Sequence, residues 1–218
     1  MGISRGEEEH GMKIAILGGT GQLGRRLAEG WSRAGHTVTL GSRHPSATAV
    51  QVAEWEYPCP VTSHLDALQD AELVVFSTPA GAVDTVAQDV APHLPPNAVI
   101  LSVMVPLSPG EPTRYAGLPE GSLAQHLASL LPEGSRVVAG FHTVSAQPDW
   151  EDGDVLICGG GKDAQACIAA LVEDLKMRPI DCGPLRMAEI LERLTPLLIG
   201  INRRYHVHGA GIRVTGLP

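Results

Sequence analysis

The chain has 218 residues, 44% hydrophobic and 18% charged, with a formal net charge of −8. That length buries a full core for one domain, or for one domain with a small extension, and the composition is that of an ordinary globular protein rather than a disordered one. The acidic balance, with no basic stripe, excludes a nucleic-acid surface, and no apolar run approaches the roughly twenty residues that span a bilayer.

Met1–Gly11 carries Arg5, Glu7, Glu8, Glu9 and His10 but no apolar h-region. It reads as a disordered leader rather than a secretory signal, with folding expected from Met12. The run Lys13–Leu17 then predicts a buried strand that leads into Gly18-Gly19-Thr20-Gly21-Gln22-Leu23-Gly24. Leu23, Leu27, Ala28 and Trp31 recur at helical spacing behind it. A glycine turn between strand and helix is the setting in which free backbone N–H groups meet a dinucleotide pyrophosphate. In that setting Gly19 is expected to make the tight turn, Gly21 to admit the pyrophosphate, and Gly24 to let helix and strand pack closely.

Thr37–Leu40 reads as the second strand, and the residues after it choose the cofactor. An NAD site places an acid there, about twenty residues past the glycines, to bond the ribose 2′-OH. This chain has Gly41-Ser42-Arg43-His44 instead, with no acid between Gly41 and Ala53. A hydroxyl and a guanidinium suit a 2′-phosphate, so Ser42 and Arg43 point to NADP.

Ser46–Trp55 predicts a short helix and Pro58–His64 a weak strand. Leu73–Ser77 is a clear buried strand, followed by a helix marked by Val83, Val86 and Val90, and Ala98–Val103 is the next strand. This alternation predicts an α/β fold of the Rossmann type: a doubly wound, mostly parallel sheet with right-handed crossovers. Ligands of such sheets gather at the carboxyl ends of the strands, which brings Thr20, Ser42, Thr78 and Val105 to one edge.

Met104–Gly121 is rich in Pro and Gly and predicts a long loop over that edge. A helix over Ser122–Leu131 and a strand over Arg136–Gly140 deliver His142 directly off a strand end. Two readings stand for it: a donor or general acid titrating near neutrality, or a buried neutral ring bonded to a backbone carbonyl. The last third predicts a strand over Asp154–Cys158, a helix from Asp163 to about Met177, a strand over Pro179–Cys182 and a helix from Leu185. The domain division is therefore 1–11 leader, 12–150 nucleotide-binding domain, and 151–218 a small C-terminal α/β extension packed on the same domain.

In the final helix Met187, Ile190, Leu191, Leu194, Leu197, Leu198 and Ile201 form an apolar stripe of the kind that is usually core. Pro196 should kink or interrupt it. Arg203, Arg204, His206, His208 and Arg213 make the one locally basic patch, either a solvated helix end or a contact for an anionic substrate or second subunit. Cys59, Cys158, Cys167 and Cys182 lack CxxC spacing, which predicts buried reduced thiols and a cytoplasmic protein.

Missing motifs narrow the chemistry. Tyr57, Tyr115 and Tyr205 are followed four residues later by Val61, Pro119 and Gly209, so the Tyr–Lys pair of short-chain dehydrogenases is absent. No HExxH, GxSxG or P-loop occurs, and metal and nucleophilic catalysis are unsupported. A nicotinamide site without an acid–base pair fits direct hydride transfer to an electron sink, with the protein positioning two rings.

Taken in order, Gly18–Gly24, Gly41-Ser42-Arg43, Val105-Pro106, Phe141-His142-Thr143, Cys182-Gly183-Pro184-Leu185, Leu194–Leu198, Asn202–Tyr205 and Ala210–Arg213 resemble the NADPH-dependent reductases of coenzyme F420, an 8-hydroxy-5-deazaflavin. The resemblance runs from about Met12 to Leu217. It implies reversible hydride exchange between NADP(H) and F420, with nicotinamide C4 stacked on deazaflavin C5, and a homodimer joined through the final helix and tail. Carried over, Thr20, Gly21, Gln22 and Leu23 hold pyrophosphate and ribose, and Ser42 and Arg43 the 2′-phosphate. Thr78, Val105 and Ala146 lie near the nicotinamide, with His142 and Pro106 beside the deazaflavin. One departure is Pro45-Ser46-Ala47, where some members place a further Lys. Two other readings stay open: an NADPH-dependent flavin or ferric-chelate reductase, like the cytosolic domain of membrane metalloreductases, and a non-enzymatic NADP-sensing module.

Overall fold

A computed structural model describes residues 11–145 and 153–217. The predicted leader, apart from Gly11, the 150/151 domain boundary and Ala146 lie outside the described residues.

The strands are β1 (Lys13–Leu17), β2 (Thr37–Gly41), β3 (Val61–Thr62), β4 (Leu73–Phe76), β5 (Val99–Ser102), β6 (Leu107–Ser108), β7 (Glu111–Tyr115), β8 (Arg136–Gly140), β9 (Asp154–Gly159) and β10 (Arg178–Asp181). The helices are α1 (Gln22–Arg33), α2 (Pro45–Val52), α3 (His64–Ala67), α4 (Val83–Val90), α5 (Leu123–Leu130), α6 (Gly161–Asp174) and α7 (Ala188–Tyr205). Eight strands form one sheet in the order β10-β9-β8-β5-β4-β1-β2-β3. The chain starts in the middle of that sheet and winds outward both ways, the doubly wound arrangement with its switch point between β1 and β4.

Alternation along each strand divides the core. Ile14 and Ile16 of β1 join Val75, Leu101 and Val138 on one face, under α1 and α6. Ala15 and Leu17 join Val74, Phe76 and Ile100 on the other, under α4 and α5. Strands buried on both faces are what near-continuous runs such as Leu73–Phe76 encode. A third cluster, containing Ala139, Leu156, Cys158, Ala188 and Leu191, seats α7 against the end of the sheet.

The sheet is mostly parallel, as expected: β9 pairs with β8 antiparallel, Ala139 opposite Cys158, while β10 is parallel to β9, so the last two strands run against the other six. Other expectations are corrected. The stretch expected as a loop over Met104–Gly121 contains the hairpin β6–β7, turned at Gly110 with φ +74. The weak strand shrinks to Val61–Thr62, and Ser63 caps the single turn α3 by accepting the Asp66 N–H at 3.1 Å. Of the four cysteines only Cys158 is fully buried.

Pro196 does not interrupt α7, which runs unbroken from Ala188 to Tyr205. The bond that proline removes is offset by attachments in the turn that precedes it. Glu192 is fully buried and accepts the N–H groups of Leu123 and Ala124 at 2.9 and 3.0 Å and the Tyr115 hydroxyl at 2.9 Å. Thr195 bonds the chain end of β8. The stripe expected as core is mixed: Leu191 and Leu198 are buried, but Ile190 and Leu197 are 53% and 57% exposed.

Candidate active site

Because β1, β2, β4, β5 and β8 are parallel neighbours, their carboxyl ends share one edge, which places Gly18, Ser42, Thr78, Val103 and Phe141 along it. The left-handed residue of the glycine turn is Gly18, φ +75, while a Cβ on Gly19 would meet Ile16 Cγ2 and Leu40 Cδ2 at 2.8 Å. A Cβ on Gly18 would lie 2.7 Å from Thr78 Cγ2, so the ends of β1 and β4 meet here without room for a side chain. Gly24 performs its expected role: a Cβ there would meet the Gly19 Cα at 2.7 Å, and helix and turn touch backbone to backbone. Gly21 caps α1 without a side-chain hydrogen bond and faces open space, while Thr20 and Gln22 are exposed and Leu23 is half-buried. The first-turn N–H groups of α1 thus point to a region that can receive an anion.

At the end of β2 the Ser42 hydroxyl is fixed by Thr48 Oγ1 at 2.8 Å and accepts the His44 N–H at 3.0 Å. The neighbouring Arg43 is exposed and has no carboxylate partner among the described residues. An unpaired guanidinium beside a held hydroxyl suits a phosphate. Thr78 donates its hydroxyl to Met104 Sδ at 3.3 Å and is 8% exposed.

A cavity of about 370 Å³ continues this edge. Gln22 and Leu23 of the nucleotide turn form one part of its wall, and Val103 and Val105 another. The segment Phe141–Ser145 supplies a third, and Thr195, Leu198, Ile199 and Asn202 of α7 close it together with His208 and Ala210. Of the expected site residues, the cavity brings together Gln22, Leu23, Val105 and His142. Pro106 is buried next to Val105, its carbonyl accepting the Ala116 N–H at 2.7 Å, and does not line the cavity. Gly19, Thr20, Gly21, Gly24, Ser42, Arg43 and Thr78 stand outside it, along the groove toward β2.

His142 is 4% exposed, and burial lowers its pKa to about 4, opposed weakly by the Met104 backbone. Of the two readings, burial favours the buried neutral ring. The ring meets the Met104 backbone, although neither nitrogen makes a hydrogen bond of strict geometry among the described residues. The residue before it, Phe141, has φ +66, and its ring meets Trp31 edge-on at 6.0 Å between centroids.

The α7 contribution was missed in the sequence. Thr195, Leu198, Ile199 and Asn202 are spaced i, i+3, i+4, i+7, a second stripe that overlaps the apolar one. Asn202 Oδ1 accepts the Ala210 N–H at 2.9 Å, and Ser145 donates to the His208 carbonyl at 2.7 Å, which hold the tail against the cavity. Further along, the 2%-exposed Asp154 is gripped by Arg178 at 2.9 and 2.7 Å and by the Val214 N–H.

Comparison with known proteins places these features in context. The family model described as NADP oxidoreductase coenzyme F420-dependent matches residues 13–106. The F420-dependent NADP reductase of Methanothermobacter thermautotrophicus is 36% identical, over 95% of this chain and 96% of its own. That of Methanocaldococcus jannaschii is 32% identical over 94% and 99%. A crystal structure assigned as an F420-dependent NADP reductase from Arthrobacter sp. FB24 superposes with a TM-score of 0.80 at 26% identity, over 94% of this chain and all of that one.

Proposed function

The chain belongs to the family of F420-dependent NADP reductases, and from that premise we propose that it transfers a hydride between NADP(H) and coenzyme F420 at the edge described above. In the reducing direction NADPH gives up a hydride from nicotinamide C4, F420 accepts it at C5, a proton from solvent completes F420H2, and NADP⁺ leaves. The observation that carries the reading is the shared wall: Gln22 and Leu23, which open the nucleotide helix, face the same cavity as Val105 and His142. A nucleotide along the glycine turn therefore ends where an apolar-walled space for a second ring begins.

The residue roles in this reading are those that the family resemblance implies. The turn Gly19-Thr20-Gly21-Gln22-Leu23, packed through Gly24, takes the pyrophosphate and ribose, and Ser42 and Arg43 the 2′-phosphate. By the family resemblance Thr78, Val105 and Ala146 take the nicotinamide side. His142 and Pro106 belong to the deazaflavin side, His142 as a neutral ring that donates or accepts a hydrogen bond. Residues 12–150 carry the nucleotide, and 151–218 are the extension that completes the acceptor cavity. The enzyme acts as a cytoplasmic homodimer in this reading. Ile190 and Leu197, seven residues apart on α7, are the exposed apolar positions a second copy would cover, and four cysteines without paired spacing suit a reducing compartment. Among the described residues no helix is long and apolar enough to cross a membrane.

The deciding experiment mixes the protein with NADPH and F420 and follows the visible absorption of the deazaflavin. Loss of that absorption with oxidation of NADPH is the expected result, and no bleaching rejects the reading.

A further inference from the structure

Apart from Gln22 and His208, the polar side chains that line the acceptor cavity fall into two groups. Thr195, Ser145 and Asn202 are engaged, through His142 O, His208 O and the Ala210 N–H. Thr143 and His142 are not. The Thr143 hydroxyl and both His142 ring nitrogens make no well-formed hydrogen bond among the described residues, although the two residues are 2% and 4% exposed. Both line the cavity. A buried hydroxyl left unpaired carries the desolvation penalty without return, so native chains seldom keep one that nothing ever meets. Val103, Val105 and Val144, which line the same cavity, carry no polar side-chain atom.

We propose that Thr143 reads the polar edge of the acceptor, its hydroxyl bonding the carbonyl–imide edge of the deazaflavin ring beside the neutral His142 imidazole. The assignment rests on the F420 reading of this site. A hydroxyl donates to a carbonyl and accepts from an imide N–H, so it serves either position of such an edge, which a hydrocarbon side chain cannot. Sites of this kind discriminate strongly, because a ligand lacking the polar edge leaves the buried group unsatisfied.

The test compares the full-length protein with Thr143→Val, which keeps the shape and removes the hydroxyl, and Thr143→Ser, which keeps the hydroxyl. Thr143→Val is expected to raise KM for F420 roughly five- to tenfold, the worth of one uncharged hydrogen bond. NADPH affinity, measured by fluorescence without F420, stays unchanged, and Thr143→Ser keeps KM near the parent value. Because the hydroxyl is unpaired in the free protein, Thr143→Val melts at the parent temperature or above it. An unchanged KM for F420 in an active Thr143→Val protein overturns the assignment alone. So does a fall in melting temperature accompanied by weakened NADPH binding, which would make the hydroxyl structural. A parent protein that binds NADPH but never reduces F420 overturns the functional reading and this assignment together.

Discussion

The hydroxyl of Thr195 donates to the backbone carbonyl of His142 at 2.6 Å, so the last helix of the chain holds the segment that ends β8. The partners are 53 residues apart in sequence, and the bond fixes the backbone on which both His142 and Thr143 depend. Replacing Thr195 with Val removes the donor while keeping the shape. The expected cost is about 1 kcal/mol of stability, a fall in melting temperature of roughly 2–4 °C for a chain of this size. KM for F420 should rise while NADPH affinity holds, and calorimetry with steady-state kinetics checks both.

Arg43 has no carboxylate partner among the described residues to release before it meets a ligand. Arg43→Ala should therefore weaken NADPH binding by about 1.5–3 kcal/mol, the worth of a charged hydrogen bond. NADH, which lacks the 2′-phosphate, should bind equally well to both proteins. Titrations with the two nucleotides decide the point, and an equal loss for both removes the 2′-phosphate role.

The buried His142 makes a pH prediction with a definite sign. Its folded pKa of about 4 lies below the ordinary value of 6.5, so folding favours the neutral ring. Its contribution to stability is complete above pH 6.5 and declines as pH falls from there toward 4, by about 3 kcal/mol at most. His142→Gln should flatten the stability profile over that window, as read by denaturant titration at stepped pH. Between about pH 7 and 8.5, well above the folded pKa, the turnover of the parent should show no titration from this ring.

Gly24 meets the backbone of Gly19, which cannot swing aside as a flexible side chain would. Gly24→Ala should cost about 1–3 kcal/mol of stability, the usual penalty for overpacking. Because the displaced atoms belong to the nucleotide turn, NADPH affinity should fall as well. A control at Gly21, where a Cβ meets nothing within 4 Å, should leave the fold intact and affect nucleotide binding alone.

Much of the fold could be read from alternation and turn residues. The strands β1, β4 and β5 are continuous apolar runs because both their faces are covered, and their order of appearance implied a parallel sheet. The reversal at β9 left no such mark, since a strand buried among Leu156 and Cys158 looks alike in either direction. The hairpin Leu107–Tyr115 was hidden because its residues are half-exposed or exposed and carry no apolar alternation. The nucleotide half of the site was legible, since glycines between strand and helix, with an Arg in place of an acid, answer to one narrow chemistry, that of a phosphorylated dinucleotide. The acceptor half was not. Thr195 and Asn202 are scattered through a helix whose leucines dominate any periodicity, and their relation to His142 exists only after the chain has folded back on itself.

Phe141 is the feature whose consequence reaches furthest. A phenylalanine at φ +66 occupies a backbone region that costs on the order of 1–3 kcal/mol. Its ring offsets that by wedging edge-on against Trp31, whose own indole N–H is tied to the Leu171 carbonyl at 3.0 Å. Glycine at this position would relax the backbone but would also empty a fully buried ring site, a loss of about 3–5 kcal/mol that outweighs the strain relieved. It would also cut the rigid aromatic link between α1, which opens the nucleotide turn, and the residue preceding His142. The strained backbone at Phe141 is therefore kept by the same packing that joins α1 to the segment leading into His142.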